Sequence, residues 1–160
     1  MTKEERIDQI IYDRNILCGE IYLGEKVRGK YSKSSNGKII CINTILSDRQ
    51  RYETKVHEVI HDEYTMVDLV SAPTDVIRIE EARVRRWEIE YLMPVDSLME
   101  AFFKGYTTPL DLADFLEITP EKLDEGFKLY IGIHGYESIH GQYRVQWQPF
   151  EVKKDRRLKP

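Results

Sequence analysis

Two histidines, His57 and His61, stand four residues apart in the stretch KVHEVIHDEY, and Glu58 directly follows the first. On an α-helix, residues at that spacing project from one face, so the two imidazoles reach a common point if this part of the chain is helical. The preceding residues supply a start signal. Ser47 can accept from a first-turn amide while Gln50, three residues on, reaches back to it, so SDRQ predicts a capping box and a helix running to about Tyr64. Within the resulting HExxH pattern, His57 and His61 are candidate metal ligands. Glu58 is placed to stay off the metal yet contact a metal-bound water, the position of a general base. Zinc lowers the pKa of such a water to about 7, which provides a nucleophile for peptide-bond hydrolysis at neutral pH. A structural pair of imidazoles on a half-buried helix is the competing reading, and it gives the intervening glutamate no role.

A catalytic zinc needs a third protein ligand and an open position. A histidine six residues beyond His61 would be the metzincin solution, but Val67 is there. A glutamate on a following helix is the other common solution. Glu80 and Glu81 both begin a helix that carries Val84, Trp87 and Tyr91 and runs until Pro94 stops it. They lie on either side of that apolar stripe, and periodicity does not choose between them.

The rest of the chain predicts a mixed α+β domain. Ile7, Ile10, Ile11 and Leu17 among charged residues predict an amphipathic helix over 3–17. RGKYSKS and GKIICIN flank Asn36-Gly37, a dipeptide that tolerates the positive φ of a tight turn. Ile39, Ile40 and Ile42 suit a strand, so this segment predicts a hairpin. SAPT, residues 71–74, reads as a loop. After Pro94 come a short apolar helix with Leu98, Met99, Phe102 and Phe103, and then PLDLADFLEI and PEKLDEGFKLY, each opened by a Thr-Pro pair. YRVQWQPFEV alternates as a single terminal strand, and KKDRRLKP is a basic tail. His134 and His140, in the Gly-rich IHGYESIHG, read as exposed loop residues, and Asp62 and Glu63 as a solvated face.

Together, the GKY…GKIICIN hairpin, the helix TKVHEVIH and the later EARVRRWEIEYLMP resemble the ImmA/IrrE family of zinc metallopeptidases of bacteria, their phages and mobile elements, over roughly residues 5 to 150. The resemblance implies a small β-sheet packed on a mainly helical, zincin-like domain, with short C-terminal helices and a terminal strand. It implies one domain over 1–150, with a catalytic core at about 5–95, a helical extension at about 96–150 and a basic tail at 151–160. The family's second motif is a glutamate, two residues, a small residue, a polar residue, and an aromatic shortly before Leu-x-Pro. Anchored on Trp87, Leu92 and Pro94, this pattern places the third ligand on Glu81, with Val84 and Arg85 in the small and polar places. Two positions depart from the pattern: Val84 stands where alanine is usual, and Glu88 stands where a small residue follows the aromatic. The implied activity is regulatory proteolysis, a zinc endopeptidase that inactivates a helix-turn-helix repressor protein and so relieves repression of a prophage, mobile element or stress regulon. The strand KIICIN could hold an extended substrate segment by adding it to a sheet edge.

Two other functions compete with this expectation. The chain could disable its repressor by sequestration alone, with zinc as a structural pin. It could instead bind DNA through residues 108–130, whose outline is that of a helix-turn-helix. Charge argues against the second, because Asp111, Asp114, Glu117, Glu121, Asp124 and Glu125 outnumber Lys122 and Lys128 where a groove lined by phosphates needs the opposite sign. The whole chain carries a formal net charge of -4, with 41% hydrophobic and 32% charged residues, a composition of soluble globular proteins and not of general polyanion binders. MTKEERIDQI lacks the apolar stretch of an export signal, and no run approaches the roughly 18 apolar residues of a membrane span. Cys18 and Cys41 lack paired spacing and read as free thiols, so the expectation is a cytoplasmic protein with no membrane partner.

Overall fold

The computed structural model describes residues 1–65 and 68–157; Val67 and the last three residues of the basic tail lie outside the described residues. The chain is α+β and separates into two compact units, Met1–Leu92 and Met93–Pro160. Among the described residues, no helix is long and apolar enough to cross a membrane.

The first unit holds α1 (Lys3–Asp13), β1 (Ile16–Ile21), β2 (Gly29–Ser34), β3 (Gly37–Asn43), α2 (Asp48–Tyr64) and α3 (Thr74–Leu92). Helix α1 stops short of the predicted end at Leu17. Asn15 takes a left-handed conformation, φ 55, which turns the chain out of the helix and puts Leu17 on β1, where it is exposed. The strands pair in the order β1-β3-β2, with β1 parallel and β2 antiparallel to β3. The predicted hairpin is β2–β3, but its two loop residues are Ser35 and Asn36, and Gly37, at φ 124, supplies the positive angle instead of Asn36. Ile16, Ile40 and Ile42 are buried while Leu17, Ile21 and Ile39 are exposed, so one face of this sheet carries the core.

Helix α2 is the centre of the unit, packed against α1, α3, β2 and β3. Its start is the predicted one: Ser47 accepts from the Gln50 amide, and the Gln50 side chain accepts from the Ser47 amide. Because neighbours surround it, α2 buries polar residues as well as Tyr52, Val56, Val59 and Ile60. Lys55, for example, is buried with its ammonium on Asp8 at 2.7 Å and Glu4 at 3.0 Å, which ties α2 to α1.

Strand β2 lies unusually close to α2, and Gly29 permits it. A Cβ at Gly29 would sit 2.5 Å from Thr54 Cγ2, 3.1 Å from Glu58 Oε1 and 3.2 Å from the Cys41 carbonyl oxygen. Gly29→Ala must therefore push the strand away from the helix, an overpacking cost of about 1–3 kcal/mol. The expected result is a lower denaturant midpoint at unchanged m-value. An unchanged midpoint would contradict the close approach.

The second unit holds α4 (Val95–Phe103), α5 (Pro109–Leu116), α6 (Pro120–His134), β4 (Glu137–His140), β5 (Tyr143–Trp147) and β6 (Phe150–Lys154). Thr108 and Thr119 cap α5 and α6 with Pro in the first turn, as the Thr-Pro pairs predict. The single terminal strand is corrected to an antiparallel sheet in the order β4-β5-β6. Pro149, which has no N–H to give a ladder, sits with Gln148 in the turn between paired Trp147 and Phe150. Lys153 and Lys154, read as the start of a tail, belong to β6. Leu98, Leu112, Leu116, Ile118, Leu123, Val145 and Trp147 form the core of this unit, and the Tyr130 hydroxyl donates to the Met93 carbonyl at 2.9 Å.

Candidate metal centre

Helices α2 and α3 bring together the side chains that the HExxH pattern singles out. His57 and His61 project from one face of α2 with their Nε2 atoms 3.2 Å apart. From α3, Glu81 presents Oε1 to His61 Nε2 at 3.2 Å and Oε2 to His57 Nε2 at 3.5 Å. Among the described residues, His57, His61 and Glu81 form the one group of three or more donors able to hold a metal ion. Glu80, which periodicity left equal to Glu81, is buried on another side of α3 and pairs with Arg83 at 3.1 Å. The reason lies in the face α3 buries. Its buried residues are Val84, Ile89 and Leu92 with the acids Glu80 and Glu88, and not the predicted Trp87 and Tyr91. Tyr91 is exposed, and Trp87 packs against Tyr64 with the ring centroids 4.0 Å apart and the planes tilted by 37°. Glu81 is three residues before Val84 and seven before Glu88, so it shares their face.

The outward ring nitrogens are also engaged. His57 Nδ1 lies 2.9 Å from Glu88 Oε2, and His61 Nδ1 lies 2.9 Å from Thr65 Oγ1. Both Nε2 atoms thus face the same point, towards Glu81. Glu58, between the two ligands, is buried beside them. Burial pushes its carboxyl above the usual carboxylate range; the two imidazoles and the Tyr31 backbone amide pull the other way without overcoming it.

Hydrogen bonds between the imidazoles and the carboxylates tie the cluster together. Burial alone would depress His57, but its hydrogen bonds to Glu81 and Glu88 outweigh that and push it up to about 10. Hydrogen bonds from His57 and His61 hold Glu81 far below the usual carboxylate range. A metal ion and a proton compete for His57 Nε2, so at neutral pH a bound ion must displace that proton. Raising the pH towards 10 removes the competitor and strengthens metal binding. The expected result is release of about one proton per ion at pH 7, read by titration calorimetry in buffers of different ionisation enthalpy. An ion that binds without proton release would contradict this arrangement.

A groove of about 830 Å³ opens over the cluster, lined by residues 29–33 of β2, by His57, Glu58, His61 and Asp62 of α2, and by Glu81. The sequence reading gave the edge-strand role to KIICIN, but β3 is the central strand with a neighbour on each side, and β2 is the edge that lines the groove. Asp62 is likewise corrected from a solvated residue. Its side chain is almost fully buried and accepts from Tyr31 Oη at 2.7 Å, Lys38 Nζ at 2.9 Å and Arg14 Nη1 at 3.1 Å. Burial alone would raise its carboxyl, and these three donors hold it below its usual value. One carboxylate thereby pins the residue that ends α1, together with β2 and β3, to α2 beside the metal donors. Glu63 is exposed and pairs with Arg14 at 2.8 Å.

His134 and His140 lie in the second unit, at the ends of α6 and β4 and not in a loop; His140 is half-buried with its Nε2 2.8 Å from Ser138 Oγ. Neither belongs to the donor group. No protein-family model matches the chain, and no curated protein matches it in sequence.

Proposed function

We propose that this chain is a zinc-dependent endopeptidase, with zinc held by His57, His61 and Glu81 and with Glu58 as general base. The observation that carries the reading is the spacing of the donor atoms. Ligands 2.0–2.2 Å from a tetrahedral ion lie about 3.3–3.5 Å from one another. The two Nε2 atoms are 3.2 Å apart, and Glu81 meets them through different oxygens, Oε1 at 3.2 Å from His61 and Oε2 at 3.5 Å from His57, so each pair stands near that spacing and one donor atom from each residue lies within 4.8 Å of the others. Two imidazoles with one carboxylate suit zinc better than calcium or magnesium, which prefer all-oxygen surroundings.

Zinc held by His57, His61 and Glu81 would supply Lewis acidity and a nucleophile at neutral pH. The chain supplies the rest. Glu58 lines the groove next to both ligands, and a carboxylate raised by burial is suited to take a proton from the attacking water and return it to the leaving amine. The β2 edge supports binding of an extended segment. Arg28 bonds across to Asn43, so in the antiparallel register Lys30 and Ser32 also face β3, while the backbone groups of Gly29, Tyr31 and Lys33 point away from it, into the groove. A peptide laid along β2 would pass the metal donors with its main chain held by strand pairing.

The resemblance of the HEVIH helix and of EARVRRWEIEYLMP to the ImmA/IrrE family supplies the substrate class, a helix-turn-helix repressor inside the cell. The test is cleavage of peptides of mixed sequence by the zinc-loaded protein, with products read by mass spectrometry. Cuts that disappear with a chelator and return with zinc are expected. Intact peptides under both conditions would overturn the endopeptidase reading.

A further inference from the structure

We infer that Glu88 is a positioning residue for the metal centre, holding His57 in the tautomer and orientation that aim Nε2 at the ion. The inference rests on the reading of His57, His61 and Glu81 as metal ligands and adds to it a residue that no motif assigns. Glu88 sits two turns after Glu81 on the buried face of α3, with its side chain 3% exposed and Oε2 at 2.9 Å from His57 Nδ1. An imidazole that ligates through one nitrogen carries its proton on the other, and a carboxylate accepting that proton fixes the ring and raises the basicity of the ligating nitrogen.

The two ligand histidines differ in this respect. His61 Nδ1 meets the Thr65 hydroxyl, which can donate or accept and so does not select a tautomer. Glu88 as a carboxylate can only accept, so it selects Nδ1–H on His57. The same residue explains a departure from the expected second motif. A glutamate after the aromatic places a buried acid in the core-facing stripe Val84, Glu88, Ile89 and Leu92, where it meets His57.

The test compares Glu88→Gln, which keeps an acceptor of the same shape, with Glu88→Ala, which removes it. Zinc affinity is measured by chelator competition, and the visible absorption of the cobalt-loaded protein reports the ligand field. Outer partners of this kind are worth about 10- to 100-fold in metal affinity. The expected results are a loss near the lower end of that range for the glutamine variant, a loss near the upper end for the alanine variant, and a shifted cobalt spectrum in both. A merely structural role would lower thermal stability and leave the spectrum of the folded glutamine variant unchanged. If Glu88→Ala does not fold, Glu88→Gln alone decides. Wild-type affinity and spectrum in Glu88→Gln overturn the inference. Failure of the unmutated chain to bind either metal would instead overturn the metal site itself, so the two failures are distinguishable.

Discussion

Glu58→Gln is expected to keep its zinc and to cut peptides about 10²–10⁴-fold more slowly, the range lost when a positioned general base is removed. The substitution conserves shape in a tight place. Glu58 Oε1 lies where a Cβ on Gly29 would be 3.1 Å away, and a glutamine fits that space without new atoms. It removes the one buried carboxylate between the two histidines that is not among the three metal donors. The loss should fall on kcat, with KM nearly unchanged, because the base acts in the transition state and not in binding. Full cleavage activity in the zinc-loaded variant would remove Glu58 from the reaction. A variant inert towards peptides that still relieves repression in cells would point to sequestration as the working mechanism.

Glu81→Ala is expected to weaken zinc binding on the order of 10²–10³-fold, since sites with four protein ligands bind zinc by roughly 10–16 kcal/mol and one ligand carries a proportionate part. Glu80→Gln on the preceding residue is the matched control. The Glu80 side chain is buried and pairs with Arg83 at 3.1 Å outside the metal donor group, so the substitution acts on stability and not on the metal. The two carboxylates are adjacent in sequence and were equivalent by periodicity, so the contrast tests the three-dimensional assignment itself. Equal losses in both variants, or a loss in Glu80→Gln alone, would contradict it. Chelator competition at fixed pH reads both.

The elements legible in the sequence are those set by neighbours along the chain. The capping box at Ser47, the Thr-Pro starts of α5 and α6, and the end of α3 before Pro94 all stand where local chemistry puts them. The His57–His61 pair was legible for the same reason, since a capped helix fixes the angle between residues four apart. Long-range pairing was not. Strand β1 joins β3 in parallel across an intervening hairpin, and no local signal separates Leu17 on that strand from the apolar stripe of α1. Asp62 departs from its expectation because a charged residue is ordinarily solvated, whereas this one is buried against three donors; Glu88, which the sequence marks only as a departure from the second motif, is buried against an imidazole. A signal for Glu88 does exist in the spacing. Glu81, Val84, Glu88 and Leu92 repeat at three and four residues, so a helix that buries Val84 and Leu92 carries both acids on the same side. For Asp62 the spacing is uninformative, because α2 is buried on most of its sides.

X-ray absorption at the zinc edge of the purified, zinc-loaded protein tests the convergence of α2 and α3 most directly. The account predicts one zinc per chain with nitrogen and oxygen neighbours at about 2.0–2.1 Å, a two-imidazole scattering pattern and no sulfur. A chain that takes up no zinc, or zinc held by the thiols of Cys18 or Cys41 at about 2.3 Å, would contradict it.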